Sequence, residues 1–156
     1  MFCPDGSLSR AQMAVFLLRA EHGAAYVPPP ATGSVFADVP ASAFAAAWIE
    51  RLAAEGITAG CGSGANFCPN DPVTRAQMAV FLLKTSHGPS WVPPAASGDF
   101  TDVPVSNPFA PWVEALKDEG VTAGCGAGLY CPGAATRRGQ MAVFLTKGFG
   151  LTLYGP

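Results

Sequence analysis

The stretch "PVTRAQMAVFLLKTSHG", residues 72–88, decides how this chain is organised, because it is written three times. A near-copy, "SLSRAQMAVFLLRAEHG", fills residues 7–23, and a degraded copy, "AATRRGQMAVFLTKGFG", fills residues 134–150. Arg10, Arg75 and Arg138 fall in one column, Met13, Met78 and Met141 in a second, and Phe16, Phe81 and Phe144 in a third. A fixed period of about 64 residues marks a chain built from stacked units rather than from one irregular domain.

Working outward from the phrase, "FCP" at Phe2, "FCP" at Phe67 and "YCP" at Tyr130 extend the match upstream. A further phrase occurs twice: "FADVP" at Phe36 with "WIERLAAEGITAGCG" at Trp48, then "FTDVP" at Phe100 with "WVEALKDEGVTAGCG" at Trp112. The first copy lacks this front half, so the chain opens in mid-repeat and reads as the C-terminal part of a longer exported protein. Its first residues have neither the basic nor the apolar region of a secretory leader, and no apolar run is long enough to span a bilayer.

The helices follow from start and stop signals. Ser9 and Thr74 are N-cap residues with Gln12 and Gln77 three places later, the pattern of a capping box. In the third copy Arg137 takes the cap column, so its first turn is expected to be less well capped. "MAVFLL" is apolar almost all round and reads as a buried helix. In the second phrase Phe44, Trp48 and Leu52 form an apolar stripe, answered by Phe109, Trp112, Val113 and Leu116, and Gly56 and Gly120 read as the residues that end these helices. The expected fold is mainly α, with tandem helix–loop–helix units, short closed loops and proline-rich connectors.

Cys61 and Cys68 bracket one glycine-rich loop, and Cys125 and Cys131 bracket the other. The pairs read as disulfides, each contributing roughly 2–3 kcal/mol by loop entropy. Reduced buried cysteines are an alternative, while zinc is disfavoured by the wide spacing and the lack of nearby histidines. Cys3 is left over, its partner expected in the absent half-repeat. Disulfides imply an oxidising, extracellular site.

The chain is 49% apolar, only 13% of its residues are charged, and its net charge is −2, so it has no basic field for a nucleic acid. No Ser/His/Asp or Cys/His constellation stands out, and no metal or cofactor site is expected. Ser63 becomes Ala127 in the other copy, a poor pattern for a nucleophile. The expected class is a non-catalytic one.

Together, the FxDV phrase, the aromatic helix ending in "EGIT", the GxG loop, "FCP" and the "TRAQ" helix resemble the S-layer homology repeat, in a subset with cystine loops. The resemblance covers almost the whole chain. It implies residues 1–30 as the C-terminal half of a first repeat, 31–94 as a second repeat and 95–156 as a third. It also implies a pseudo-threefold helical assembly that anchors exocellular proteins to the cell envelope by binding an acidic, often pyruvylated, secondary cell-wall polysaccharide. Glutamine replaces the signature glutamate in all copies, and the third reads "RRGQ".

An arginine at a helix's first turn suits such a ligand on physical grounds. A guanidinium grips a planar carboxylate through two charge-assisted bonds, and the helix dipole adds to the same spot. Arg10, Arg75 and Arg138 are therefore candidate glycan-binding residues, with Arg75 the strongest. The competing reading is that they join repeats by bonding backbone carbonyls or Glu50, Glu55, Glu114 and Glu119. Trp48 and Trp112 are core residues first and sugar-stacking candidates second. Asp38 and Asp102 are expected to bond local amides, and His22 and His87 to be solvent-facing turn residues. The partner expected is a cell-wall polysaccharide, at the cell surface, without membrane insertion. The alternative is a structural protein that assembles with copies of itself, its first helix docking either on its own chain or on another.

Overall fold

The computed structural model describes residues 3–151; Phe2, the first residue of the opening "FCP", lies outside them. The described residues form five helices: α1 Arg10–His22, α2 Ala46–Ala54, α3 Arg75–His87, α4 Ala110–Asp118 and α5 Arg138–Gly148. Among these residues there is no sheet, only isolated bridges. The protein is mainly α, as its periodicity predicts.

α1 and α3 begin with complete capping boxes. The Ser9 hydroxyl accepts from Gln12 N at 3.3 Å and the Thr74 hydroxyl from Gln77 N at 3.2 Å, while each glutamine accepts in return from the cap amide. At α5 only the return bond survives. Gln140 accepts from Arg137 N at 3.0 Å, but an arginine side chain has no acceptor to offer the N3 amide. The weaker start expected for α5 is what the geometry gives.

The chain just ahead of the three repeated helices forms the centre of the molecule. Leu8 N donates to Thr136 O at 2.8 Å, Thr136 N to Val73 O at 2.8 Å, and Val73 N to Leu8 O at 2.9 Å, closing a ring of three backbone bonds. These residues occupy one column of the sequence copies and are fully buried. Around the ring, the first turn of each helix docks on the next copy. Arg10 N and Ala11 N donate to Asp71 O and Pro69 O, Arg75 N and Ala76 N to Ala134 O and Pro132 O, and Arg138 N and Gly139 N to Gly6 O and Pro4 O. The first helix thus docks within its own chain. α1 packs on α2 and α3, and α3 on α4 and α5. Met13, Leu17, Leu18, Met78, Leu82 and Leu83 are buried where these helices meet.

α2 and α4 end in the Schellman pattern that Gly56 and Gly120 signal. Gly56 N donates to Ala53 O and Ile57 N to Leu52 O, with Gly56 at φ 71°. The stripe of α2 differs at its start from the expectation. Ala45 at φ 61° turns the chain before the helix begins, which leaves Phe44 70% exposed and gives its place to Ile49. The connectors are held by carboxylates from these helices. Burial pushes the Glu50 carboxyl up, but amides of Thr32 and Gly33 and the Thr32 hydroxyl outweigh it and hold it below the usual range. Glu114 is held low in the same way, its burial outweighed by bonds from Ser97, Gly98 and Asp99.

Candidate functional site

Both cystine loops are present, Cys61–Cys68 with Cα atoms 6.1 Å apart and Cys125–Cys131 with 6.0 Å. Cys3 is free and exposed. Each loop is pinned from a distance. Asp38 accepts from Phe67 N and Cys68 N, both at 2.7 Å, and Asp102 from Tyr130 N at 2.8 Å and Cys131 N at 2.7 Å. The expectation of local bonds for these aspartates is therefore corrected. They reach almost thirty residues along the chain, because "DV" and "CP" lie side by side once the loop closes. The tight crossing explains Gly60 and Gly124. A Cβ on Gly60 would meet Phe36 Cε1 at 3.0 Å and run into Asn66 O, and one on Gly124 would meet Phe100 Cε1 at 3.0 Å and Leu129 O.

The arginine column enters these loops from the neighbouring copy. Arg10, only 4% exposed, sends Nε to Phe67 O at 2.7 Å and Nη2 to Gly60 O at 3.0 Å. Its guanidinium lies over the rings of Phe67 and Phe81. Burial pulls its pKa below the ordinary value, opposed by the charges of Asp71 and Asp38. Arg75, 3% exposed, sends Nε to Tyr130 O at 2.8 Å and stacks over Tyr130 and Phe144. Its Nη2 is buried without a hydrogen-bond partner. The Tyr130 hydroxyl donates back to Arg75 O at 2.9 Å, and burial, against the Arg75 charge, pushes the phenol up to about 12. Arg138 takes the third position, its guanidinium over Phe16 at 5.4 Å.

Arg75 is also part of the wall of an open groove of about 450 Å³, shared with Asp5, Ser7, Ala134, Arg137, Gln140 and the Cys125–Cys131 bridge. Arg137 Nη1 pairs with Asp5 at 3.3 Å where both are largely exposed, so this contact contributes little and opens readily. Asp5, Ser7 and Gln140 were not singled out by sequence reasoning, and Arg137 only as a helix-cap position. Their signal was their place in the copies, within about five residues of the arginine column. A second groove of about 390 Å³, between the 29–35 connector and α2, is lined by Glu50 and Arg51.

The tryptophans stand elsewhere. Trp48 packs against Tyr26 edge-on at 5.9 Å, with Arg19 over its ring, and Trp112 packs against Trp91 at 5.8 Å. These clusters sit at the C-terminal ends of α1 and α3, about 18 Å along the helix from the arginines, so the two sets of candidates do not converge. His22 and His87 are corrected here from turn residues to the last helical residues of α1 and α3. They contact Glu55 at 2.8 Å and Glu119 at 2.7 Å and lie against Tyr26 and Trp91. Among the described residues no helix is long and apolar enough to cross a membrane, and no group of His, Cys, Asp or Glu is placed to hold a metal.

No curated protein matches this chain. A family model does: residues 35–79, running from the FxDV phrase through the first cystine loop to the first turns of α3, match the S-layer homology domain.

Proposed function

We propose that this module, organised as a half-repeat at 1–30 and repeats at 31–94 and 95–156, anchors a protein to the cell envelope by taking a carboxylate of an acidic cell-wall polysaccharide into the groove beside Arg75. The S-layer homology domain is a non-catalytic envelope-anchoring domain, which supports the general role and a cell-surface site. One observation carries the finer reading: Arg75 has a buried guanidinium nitrogen with no partner, at the wall of a groove that also presents the Arg137 cation and the Gln140 amide. A charged donor left unsatisfied is costly. Nη2 itself has almost no accessible surface, so a ligand carboxylate reaches it only when the groove wall shifts; that contact would remove the cost and gain a charge-assisted bond. Arg10 offers nothing comparable, since both of its bonding nitrogens are consumed by loop carbonyls. It serves the joining role.

The test is calorimetry against purified cell-wall polysaccharide, native and stripped of its acidic substituents, with melts in parallel. Arg75→Lys should weaken binding to the native polymer by about tenfold, because a point charge cannot reproduce the fork. Stripping the acid groups should have as large an effect on the parent. Equal binding of both polymers would overturn the acidic-ligand reading.

A further inference from the structure

We infer that the Cys125–Cys131 bridge is a thiol-exchange site, attacked by a small anionic thiol that enters the groove beside Arg75, while the Cys61–Cys68 bridge of the same chain is held apart from that chemistry. Exchange at this bridge does not depend on a polysaccharide binding in the groove.

The two bridges share one backbone plan. Each closes a glycine-rich loop, and each has its second cysteine in the left-handed region, φ 58° at Cys68 and 60° at Cys131. Each is pinned by a distant aspartate, Asp38 or Asp102. Access separates them. Cys125 is exposed, and so is every residue from Gly126 to Leu129, whereas Cys61 and Cys68 are both half-buried. The Cys125–Cys131 bridge also forms part of the groove wall that holds Arg75 and Arg137. A thiolate must reach a sulfur before it can displace the other, so access decides which bridge reacts first.

Charge separates them further, because the attacking species is an anion. Close to Cys125–Cys131 in sequence stand Ala134 and Arg137, where the Cys61–Cys68 copy has Asp71 and Thr74. The Arg137 side chain is 60% exposed and meets Asp5, itself 88% exposed, at 3.3 Å. An exposed pair of this kind is worth little, so the guanidinium is free to turn toward an incoming thiolate. Arg75 stands in the same wall with Nη2 unpartnered. In the first step the thiolate attacks Cys125 Sγ, a mixed disulfide forms there, and the electron pair of the broken S–S bond leaves on Cys131 Sγ as a thiolate. A second thiolate then attacks the outer sulfur of the mixed disulfide, Cys125 leaves as a thiolate, and the small thiol departs as its oxidised dimer. Nearby cations favour both the entering anion and the anion left behind. The bonds that Tyr130 N and Cys131 N donate to Asp102 do not involve the sulfurs, so the loop keeps its anchor and the step can reverse.

In the test, Cys3 is first capped with iodoacetamide, so that every new thiol comes from a bridge. The folded protein is then exposed to mercaptoethanesulfonate, mercaptoethanol or cysteamine at equal thiolate concentration, and adducts and new thiols are located by peptide mapping. With the anionic mercaptoethanesulfonate, the Cys125–Cys131 bridge should open about tenfold or more faster than Cys61–Cys68, with the first adduct on Cys125. With the cationic cysteamine that preference should shrink by about threefold or more. Arg137→Gln should slow opening by the anionic thiol about threefold without slowing cysteamine, and Arg137→Lys, which keeps the charge, should restore the parent rate. Equal rates at the two bridges would overturn the inference. A preference of the same size for every thiol would overturn it as well, since exposure alone would then set the order.

Discussion

The Arg10 and Arg75 junctions share one backbone plan and differ in how their charge is settled. In both, the helix amide of the arginine bonds the carbonyl four residues before the next copy's arginine, which is Asp71 O for Arg10 and Ala134 O for Arg75. In both, Nε reaches the carbonyl of the aromatic residue before the cysteine. At the first junction the side chain at that docking residue is a carboxylate, Asp71, and the guanidinium has a second bond to Gly60 O. At the second junction the corresponding residue is Ala134, and Nη2 has no partner. The two junctions thus differ in whether the buried guanidinium has a second loop carbonyl to bond and a carboxylate nearby.

The largest expected effect tests this difference through stability. Arg10→Ala removes two side-chain bonds, strands the buried Phe67 carbonyl and the part-buried Gly60 carbonyl, and empties space between Phe67 and Phe81. It should cost about 3–5 kcal/mol. Arg75→Ala removes one such bond and an already unsatisfied nitrogen, and should cost less by at least about 1 kcal/mol. Urea melts of the two variants decide the matter; equal losses would mean that the junctions are energetically alike and that the orphan nitrogen carries no meaning.

Much of this was legible in the sequence, and the parts that were not have physical reasons. The capping boxes, the buried "MAVFLL" helices and the glycine stops are local, so residue types at fixed spacing identify them. The three-bond ring of Leu8, Val73 and Thr136 is not local: it exists only because the copies close on one another, and nothing in a single copy announces it. The same holds for Asp38 and Asp102, whose carboxylates serve amides far along the chain. Phe44 misled because helical spacing says nothing of the left-handed residue at Ala45 that turns the chain before the helix starts. The arginine column was readable as important, but the second bond of Arg10 to the cystine loop and the orphan nitrogen of Arg75 show only once the copies are docked.

A middle-sized effect sharpens the comparison by making the second junction resemble the first. Ala134 is exposed and its carbonyl already receives Arg75 N, so Ala134→Asp places a carboxylate where Asp71 sits without disturbing the core. An internal anion then competes with the polysaccharide for Arg75. Affinity for the acidic polymer should fall about tenfold, or about 1.4 kcal/mol, while the melt shifts by no more than about 0.5 kcal/mol. Undiminished binding would place the ligand somewhere other than the Arg75 groove.

The smallest effect comes from the centre, which both junctions share, and it separates stability from binding. The ring column holds Leu8 and Val73 in two copies, but Thr136 in the third, and the Thr136 hydroxyl is fully buried with no hydrogen-bond partner. A buried hydroxyl without a partner pays for its lost hydration with nothing in return. Valine has nearly the same shape and the same branching, so the backbone bonds of Thr136 to Val73 and Leu8 should persist in Thr136→Val. Replacing the hydroxyl by a methyl should therefore raise stability by about 1 kcal/mol, and it should leave polysaccharide affinity unchanged, because the ring lies behind the loops and not in the groove wall. A lower melting temperature would show that the hydroxyl is bonded in solution. A higher melting temperature with altered affinity would show that the two junctions communicate through the ring, and that Arg10 and Arg75 are not independent.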